Sequence, residues 1–259
     1  MTARYPFHTA LVTGASSGIG EELTRQLVAA GVPVVAVARR RDRLEALAEE
    51  LGSVEVLVAD LATRAGVSAV ATRIARGDRP VELVVNNAGF GTSGDFAELD
   101  VERLSREIAV NVDALTRLAH AALASMLPRG RGWLLNTSSF AGFQPAPRLA
   151  VYAATKAYVT SLSESLHQEV SGRGVVVTAL CPGLVRTEFQ AVSNSGRHQA
   201  AFPDIVWVDV ARVATSALEA TAKGRALVVP GALYKGASWA VNVTPRCLRR
   251  MASSLIQRG

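Results

Sequence analysis

The sequence predicts an α/β fold in which a doubly wound, seven-stranded parallel sheet carries helices on both faces. Short runs rich in β-branched residues alternate with stretches of helical periodicity along the chain, an order typical of parallel sheets. Most of these runs are continuously apolar instead of alternating with polar residues, as strands covered on both faces must be. The predicted strands are residues 9–13, 33–38, 55–58, 82–86, 133–137, 175–180 and 226–229.

The helical stretches between these strands carry end signals in two places. Gly31 directly follows the first helix, a position where glycine commonly ends a helix. Asp42 and Glu45 have the spacing of a capping box and predict the start of the second helix. The predicted helices are residues 19–30, 43–51, 67–76, 100–127, 152–170 and 208–222.

The length and composition predict a single domain. The 259 residues are 49% hydrophobic and 19% charged, which supplies ample apolar material for one large core. Folds of this class often form one unit at about this length, and no proline- or serine-rich linker and no internal repeat divides the chain. We therefore expect one domain over residues 1–259, with a substrate lid at 188–207 and a basic C-terminal extension at 232–259.

Composition and charge argue against several other classes of protein. The first residues contain no apolar run like that of a secretory signal, and no apolar stretch is long enough to cross a membrane. Cys181 and Cys247 cannot form a disulfide framework, and the four histidines lack metal-ligand spacing. Seven positive charges follow Glu219 with no acidic residue among them, so the net charge of +6 arises in the last part of the chain. We therefore expect a cytoplasmic protein with no bound metal and no nucleic-acid partner.

A glycine-rich loop links the first strand to the first helix and predicts a phosphate site of the Rossmann type. A pyrophosphate needs backbone N–H groups at a helix N-terminus, and glycines allow the main chain to approach it closely. An ordinary turn is the alternative, but the strand before the loop and the helix after it favour a dinucleotide. The residues assigned to this cofactor site are Gly14, Ser16, Ser17, Gly18, Ile19 and Gly20.

Two arginines after the second strand predict which dinucleotide is bound. Arg39 and Arg40 stand where an NAD-binding fold usually has an acidic residue for the ribose 2′-hydroxyl. A guanidinium is always charged and donates two parallel hydrogen bonds, so it suits the 2′-phosphate of NADP(H). Asp42 is the acidic rival, and an ordinary solvated loop is the other alternative. We therefore predict NADP(H) as the cofactor, held by Arg39 and Arg40.

Two polar turns add further candidates for the cofactor site. Asp60 and Leu61 follow the third strand, where a carboxylate could meet the adenine amino group, although Asp60 could instead be a helix N-cap. After the fourth strand, Asn87, Ala88 and Gly89 form a small turn that suits contact with a ribose, but such turns are common in any case.

Tyr152 and Lys156 form the predicted catalytic pair. They are four residues apart in a predicted helix and therefore share one face. A neighbouring ammonium is expected to lower the pKa of the phenol from its usual value of about 10, which would make it an acid or base near neutral pH. Such pairs are usually inert, but Ser138 and Ser139 end the fifth strand at the same edge of the sheet. A serine hydroxyl there could stabilise charge on a substrate oxygen.

These motifs follow one another in an order that resembles the classical short-chain dehydrogenase/reductase family along nearly the whole chain. Thr155 departs from the common family form, which has serine before the lysine. The resemblance implies a homodimer or homotetramer. The matching stretches are T-G-A-S-S-G-I-G at 13–20, D-L at 60–61, N-N-A-G at 86–89, N-V at 111–112, S-S-F-A-G at 138–142, Y-A-A-T-K at 152–156 and P-G-L-V-R-T at 182–187.

The resemblance also implies roles for particular residues. Ser139, selected over Ser138 by its spacing from the tyrosine, joins Tyr152 and Lys156 in a catalytic tetrad that Asn111 completes. Tyr152 would be the general acid/base, and Lys156 would hold the nicotinamide ribose as well as adjust the tyrosine. The nicotinamide and its carboxamide would be met by Pro182, Gly183, Val185 and Thr187.

The expected chemistry is reversible hydride transfer between the nicotinamide and a carbonyl or secondary alcohol of a small apolar substrate, with the cofactor carrying the hydride. Residues 188–207 mix polar and apolar side chains that suit a lid over an apolar pocket. Ketones, aldehydes, steroids and 3-oxoacyl compounds all remain candidate substrates. The alternatives are a non-catalytic NADP(H)-binding sensor or scaffold protein, an NAD-dependent alcohol dehydrogenase, and an epimerase or dehydratase.

A basic amphipathic helix is predicted at the end of the chain. Thr244 can cap it, and Pro245 can occupy its first position. Such a helix could make a peripheral contact with an anionic membrane, or it could pack on protein, and its periodicity fits both. Its apolar residues are Leu248, Met251, Ala252 and Leu255, with Arg249, Arg250 and Arg258 around the rest of the helix.

Overall fold

The computed structural model describes residues 4–194 and 203–244. Its main sheet has seven strands in the order β3-β2-β1-β4-β5-β6-β9, and every neighbouring pair is parallel, so the predicted sheet is confirmed. A small two-stranded sheet, β7 with β8, was not predicted. The strands are β1 (Ala10–Thr13), β2 (Val34–Ala38), β3 (Val54–Val58), β4 (Leu83–Asn86), β5 (Gly132–Thr137), β6 (Val175–Leu180), β7 (Leu184–Val185), β8 (Trp207–Val208) and β9 (Leu227–Val228).

The helices follow the predicted alternation, with one interruption. The long helix predicted over 100–127 is divided by a π-helical segment, Ala109–Ala114. Among the described residues, no helix is long and apolar enough to cross a membrane. The basic helix predicted after Thr244 lies outside the described residues. The helices are α1 (Gly18–Ala29), α2 (Arg41–Leu51), α3 (Arg64–Ala75), α4 (Val101–Ile108), α5 (Leu115–Met126), α6 (Ala150–Glu169), α7 (Phe189–Val192), α8 (Val210–Ala222) and α9 (Ala232–Val243).

The sheet is buried on both faces, as its continuously apolar strands require. Successive residues of a strand point to opposite faces, and Leu11 and Val12 of β1 accordingly belong to different hydrophobic clusters. Leu27 of α1 and Leu218 of α8 pack with Val12. On the other face, helices α3 and α5 pack with Leu11, for example through Ile74. The doubly wound arrangement is therefore confirmed.

The two predicted helix ends have different outcomes. Helix α1 ends before Gly31, which has a φ of +80°, so that prediction is confirmed. The capping box is wrong, because α2 already begins at Arg41 and Asp42 lies inside its first turn. Glu45 pairs instead with Arg41, one turn before it, at 3.3 Å. An ion pair between i and i+4 therefore replaces the expected cap.

The amino ends of the strands form an aromatic and ionic edge that we call the amino edge, defined by Tyr5, Phe7, His8, Glu82 and Trp133. The ring of Phe7 stacks on Tyr5 with centroids 5.2 Å apart and meets Trp133 edge-on at 5.6 Å. Glu82 accepts a hydrogen bond from the backbone N–H of His8 at 2.9 Å. None of the cofactor or catalytic motifs lies at this edge, so its contacts serve the fold.

Candidate active site

The predicted site residues emerge together at the opposite edge, beyond the carboxyl ends of the strands. In a parallel sheet all carboxyl ends share one edge, which is where such folds bind ligands. The glycine loop follows β1, the arginines follow β2, Asn87 follows β4 and Ser139 follows β5. The topology alone therefore brings these distant parts of the sequence to one place.

The glycine loop has the close packing that a phosphate cradle needs. Gly14 and Gly18 have φ values of +69° and +58°, a region that side chains disfavour. A Cβ on Gly20 would lie 2.3 Å from the carbonyl oxygen of Gly14, so only glycine fits there. The Ser17 side chain makes no capping hydrogen bond at the start of α1. The first N–H groups of this helix are therefore available for an anion, and the loop fits a dinucleotide pyrophosphate.

The turn after β4, which contains Asn87 and Ala88, is hydrogen-bonded to the start of the glycine loop. The Thr13 hydroxyl oxygen accepts hydrogen bonds from the backbone N–H groups of Asn87 at 2.9 Å and Ala88 at 3.0 Å. The Asn87 amide donates in return to the carbonyl oxygen of Thr13 at 3.1 Å. The two turns therefore form one rigid floor, and Gly89 follows at its end.

Arg40, rather than Arg39, is the arginine that contacts the glycine loop. Its Nε and Nη2 atoms donate to the Ser16 hydroxyl at 3.1 and 3.0 Å. Its Nη1 atom donates to Glu188 at 2.7 Å, and Arg43 reaches the other oxygen of Glu188 at 3.1 Å. Arg39 is exposed. Ser16 and Arg40 together present a hydroxyl and a guanidinium, which are suitable partners for a ribose phosphate.

Asp60 does not cap helix α3, which was the alternative left open by the sequence. Thr63 is the N-cap, and its hydroxyl accepts from the N–H of Gly66 at 3.1 Å. Asp60 instead accepts from the N–H of Ala62 at 3.0 Å and lies 3.7 Å from Arg106. Leu61 is buried beside it. Their predicted contact with adenine remains a prediction.

Asn111 lies fully buried in the π-helical segment between α4 and α5. Its amide donates to the carbonyl oxygen of Phe90 at 2.8 Å and to the hydroxyl of Thr155 at 3.1 Å. Its oxygen accepts from the N–H of Phe90 at 3.2 Å. The Thr155 hydroxyl donates onward to the carbonyl oxygen of Tyr152 at 2.8 Å. Asn111 therefore ties the loop after β4 to the start of α6.

The other three predicted catalytic residues lie side by side. Lys156 donates to the carbonyl oxygen of Thr137 at 2.8 Å, and its Nζ atom is 5.6 Å from the centre of the Tyr152 ring. Ser138 points away, since its hydroxyl donates to the carbonyl oxygen of Lys156 at 2.7 Å. Ser139 is therefore the serine whose hydroxyl is near Tyr152, where its hydrogen bond offsets part of the rise in the pKa of the phenol that burial causes.

Burial dominates the charge states of this pair. It raises the pKa of Tyr152 to about 12 and lowers the pKa of Lys156 to about 8. Lys156 is not among the groups that shift the pKa of Tyr152 here, because desolvation dominates and the ammonium donates its hydrogen bond to Thr137 instead of the phenol oxygen. The predicted role of Lys156 as the modulator of the Tyr152 pKa therefore remains a prediction. Tyr152 is accordingly a neutral phenol at physiological pH.

The segment after β6 holds the remaining predicted residues close to the glycine loop. A Cβ on Gly18 would lie 3.0 Å from the Thr187 methyl group, and one on Gly183 would lie 2.1 Å from the Tyr234 ring. The carbonyl oxygen of Pro182 accepts from the N–H of Phe140 at 2.9 Å. Val185 is buried in β7. This segment therefore spans the space between the glycine loop and the 3₁₀ turn that follows Ser139.

The structure shows contacts of three residues that the sequence analysis did not assign to the catalytic or cofactor site, although Phe189 lies in the predicted lid at 188–207, of which residues 195–202 are outside the described residues. The Phe189 ring lies over Tyr152, with centroids 5.2 Å apart. The Tyr234 hydroxyl accepts from the N–H of Leu184 at 3.1 Å and donates to the carbonyl oxygen of Val206 at 2.9 Å. Glu107 is fully buried, and burial raises its pKa to about 6. Two of them had a sequence signal, since Glu107 lies four residues before Asn111 on a predicted helix and Phe189 lies in the predicted lid.

This structure brings a phosphate cradle and a pair of residues suited to proton transfer to one edge of one sheet. An oxidoreductase needs both if it is to interconvert CH–OH and C=O groups with a nicotinamide dinucleotide. The chain belongs to the short chain dehydrogenase family, whose sequence profile matches residues 8–198.

Individual relatives are similar over most of their length. The chain is 38% identical over 195 residues to the NADP-dependent 3-hydroxy acid dehydrogenase YdfG of Salmonella typhi, covering 74% of this chain and 78% of that protein. A short-chain dehydrogenase from Sphingobium yanoikuyae in complex with NADPH superposes with a TM-score of 0.80 at 34% identity, covering 92% of this chain and 96% of that one. The bulky-bulky ketone specific alcohol dehydrogenase from Comamonas testosteroni gives a TM-score of 0.76 at 30% identity, covering 92% and 95%.

Proposed function

We propose that this protein is a carbonyl reductase that uses NADPH to reduce a ketone on an apolar substrate to a secondary alcohol. The observation that carries the proposal is the placement of Ser139, Tyr152 and Lys156 side by side at the carboxyl edge of the sheet, where the glycine loop also lies. The Tyr152 phenol lies beneath Phe189 and, with a pKa that burial raises from 10 to about 12, it is protonated at physiological pH. Reduction of a carbonyl requires a group that donates a proton, and a neutral phenol can do so.

The geometry of the carboxyl edge supports a proposed set of cofactor residues. The glycine loop of residues 14–20 would hold the pyrophosphate, and Ser16 with Arg40 would hold the 2′-phosphate of NADP(H). Arg39, exposed beside them, would add positive charge. When bound, the cofactor supplies the hydride. The relatives described as NADP-dependent or as NADPH complexes support this assignment.

The catalytic roles use the predicted tetrad. Tyr152 would donate its proton to the carbonyl oxygen, and the Ser139 hydroxyl would donate a hydrogen bond to the same oxygen. The ammonium of Lys156 would stabilise the phenolate left on Tyr152, and its pKa of about 8 keeps it mainly protonated at neutral pH. Asn111 would hold Thr155 and the start of α6 in position.

Aromatic residues beside Ser139 support an apolar substrate. The Phe140 ring meets Tyr234 at 5.1 Å and Phe143 at 5.9 Å between centroids. Phe189 lies over Tyr152 itself, so there is aromatic surface beside both Ser139 and the proposed proton donor. A ketone with bulky flanks fits such surroundings better than a small polar hydroxy acid.

A substrate panel and one substitution test the proposal. We expect NADPH oxidation with aryl and alicyclic ketones. We expect Tyr152→Phe to lower kcat by roughly 10²- to 10⁴-fold, which is the usual contribution of a general acid to the rate. NADPH affinity, measured by fluorescence titration, should stay unchanged. Tyr158→Phe is the matched control, because Tyr158 lies on the same helix but is exposed and bonded to Thr116. Undiminished turnover in Tyr152→Phe would refute the mechanism.

We further infer a cytoplasmic homodimer or homotetramer. Solved relatives superpose over nearly the whole of this chain, and Ile108 and Tyr158 expose large apolar side chains on the helices around the sheet. Light scattering after size exclusion would measure the mass. A monomer at micromolar concentration would contradict the proposal.

A further inference from the structure

Glu188 bridges two arginines at the adenosine end of the proposed cofactor site. One carboxylate oxygen accepts from Arg40 at 2.7 Å and the other lies 3.1 Å from Arg43. Arg40 also donates to the Ser16 hydroxyl. A carboxylate between two guanidinium groups, next to a hydroxyl, has the charge and the hydrogen-bond partners that a phosphate group would have at the same place.

The same residue belongs to the segment that runs across the site. Thr187, directly before it, lies against Gly18 of the glycine loop. Phe189, directly after it, covers the ring of Tyr152 at 5.2 Å. The backbone continues into α7, where the N–H of Val192 donates to the carbonyl oxygen of Glu188 at 3.0 Å. Glu188 therefore anchors this segment at the adenosine end.

The N–H groups of Arg40 that bind Glu188 cannot at the same time make equally strong hydrogen bonds to a second anion. The ionised carboxylate of Glu188 is held in place by Arg40, whose hydrogen bond lowers the pKa of Glu188 below its ordinary value. A 2′-phosphate carries more negative charge than a carboxylate and offers three acceptor oxygens. A ribose 2′-hydroxyl carries no charge and has no reason to displace Glu188.

We propose that Glu188 is an internal competitor for the 2′-phosphate of NADP(H), and that its displacement from Arg40 and Arg43 releases the segment over Tyr152 from its anchor. The inference rests on the proposed cofactor site. NADPH must break the ion pair between Glu188 and Arg40 before its 2′-phosphate can contact Arg40, and this cost reduces its affinity. NADH has no 2′-phosphate and binds with the ion pairs intact. Glu188 therefore weakens NADPH binding selectively.

The expected effect is modest because the ion pairs are partly exposed. The side chains of Arg40 and Glu188 are 39% and 41% exposed, and that of Arg43 is 50% exposed. Ion pairs in such positions contribute little, so removing the competitor should tighten NADPH binding by about two- to fivefold. The dissociation constant for NADH should not change.

Binding measurements on Glu188→Gln test the inference without any substrate. Dissociation constants for NADPH and NADH would be determined by calorimetry for the wild type, for Glu188→Gln and for Glu45→Gln. Glu45 is the matched control, because it pairs with Arg41 on the same helix and does not contact Arg40 or Arg43. Tighter NADPH binding in Glu188→Gln alone, with NADH unchanged, is the expected result. Equal tightening of both cofactors, or no tightening of NADPH, would overturn the inference.

A pair of cofactor fragments tests the link to the segment over Tyr152. Adenosine 2′,5′-bisphosphate and adenosine 5′-monophosphate differ only in the 2′-phosphate, and neither contains a nicotinamide. In the wild type, the bisphosphate should speed hydrogen exchange of the backbone amides of α7, and the monophosphate should not. In Glu188→Gln, the same amides should exchange fast in the absence of the bisphosphate. Unchanged exchange in both would overturn this link. Failure of NADPH to bind the wild type would instead refute the proposed cofactor site itself.

Discussion

At the scale of single residues, Glu107 is the least expected group in the molecule. Among the described residues, neither of its carboxylate oxygens makes a hydrogen bond of ordinary geometry, although the Thr92 hydroxyl is near enough to act on its pKa. Burial raises the pKa of Glu107 from 4.5 to about 6, and the Thr92 hydroxyl together with the charges of Arg103 and Lys156 offsets only part of this rise. A raised carboxyl pKa contributes stability that is fully present below the unfolded value and is lost as the pH rises through the folded value. Above about pH 6 the charged form therefore destabilises the fold.

Replacing Glu107 by glutamine should remove this penalty. One pKa unit corresponds to about 1.4 kcal/mol, so the free energy of unfolding should rise by roughly 2 kcal/mol at about pH 8 and by less than half of that at about pH 5. Urea unfolding at both pH values measures the difference. Glu102→Gln, an exposed position on the same helix, should show no such pH dependence. A gain for Glu107→Gln that is equal at both pH values would contradict the assignment.

At the scale of elements, the position of Ser139 depends on how a short 3₁₀ turn packs against helix α6. The turn, Phe140–Phe143, begins directly after Ser139. A Cβ on Gly142 would lie 2.7 Å from the carbonyl carbon of Lys156 and 2.9 Å from the N–H nitrogen of Ala157. These are backbone atoms within a helix and cannot move aside cheaply. The close contact therefore sets the distance between Ser139 and the Tyr152–Lys156 face.

Gly142→Ala should push the turn away from α6. We expect kcat to fall by at least about tenfold and the free energy of unfolding to fall by about 1–3 kcal/mol, the usual cost of overpacking. Steady-state kinetics and urea unfolding would measure the two effects, while NADPH affinity should change little. Gly77→Ala is the control, because nothing lies within 4 Å of a Cβ there. Wild-type kcat in Gly142→Ala would show that the turn does not position Ser139.

At the scale of the whole molecule, the proposed cofactor site is assembled from loops after several strands. A ligand that binds only the folded state stabilises it by mass action, by about 2.7 kcal/mol at a hundredfold excess over Kd. For a chain of this size, NADPH should therefore raise Tm by about 5–10 °C. Arg40→Ala should lose much of this shift, while Arg41→Ala, at an exposed position, should keep it. Equal shifts with NADPH and NADH at the same concentration would contradict the preference for NADP(H).

How much of this molecule can be predicted from its sequence also depends on scale. The sheet is predictable because each strand carries its own apolar run, and the cofactor loop because Gly14 to Gly20 lie close together in the chain. The π-helical segment around Asn111 leaves no comparable local signature. The contacts of Glu188 and Phe189 are with Arg40 and Tyr152, which are distant in sequence and therefore leave no local pattern. The raised pKa of Tyr152 depends on burial that only the packed fold creates.

The amino edge of the sheet has a consequence for how this chain can change over time. The ring of Phe7 stacks on Tyr5 and meets Trp133 edge-on there, on the far side of the molecule from every group proposed to touch cofactor or substrate. A mutation at that face alters the fraction of molecules that are folded and leaves the chemistry of each folded molecule as it was. The amino edge and the carboxyl edge are thus free to evolve separately. Selection on the amino edge acts on the abundance of folded protein, and selection on the carboxyl edge acts on what the enzyme recognises.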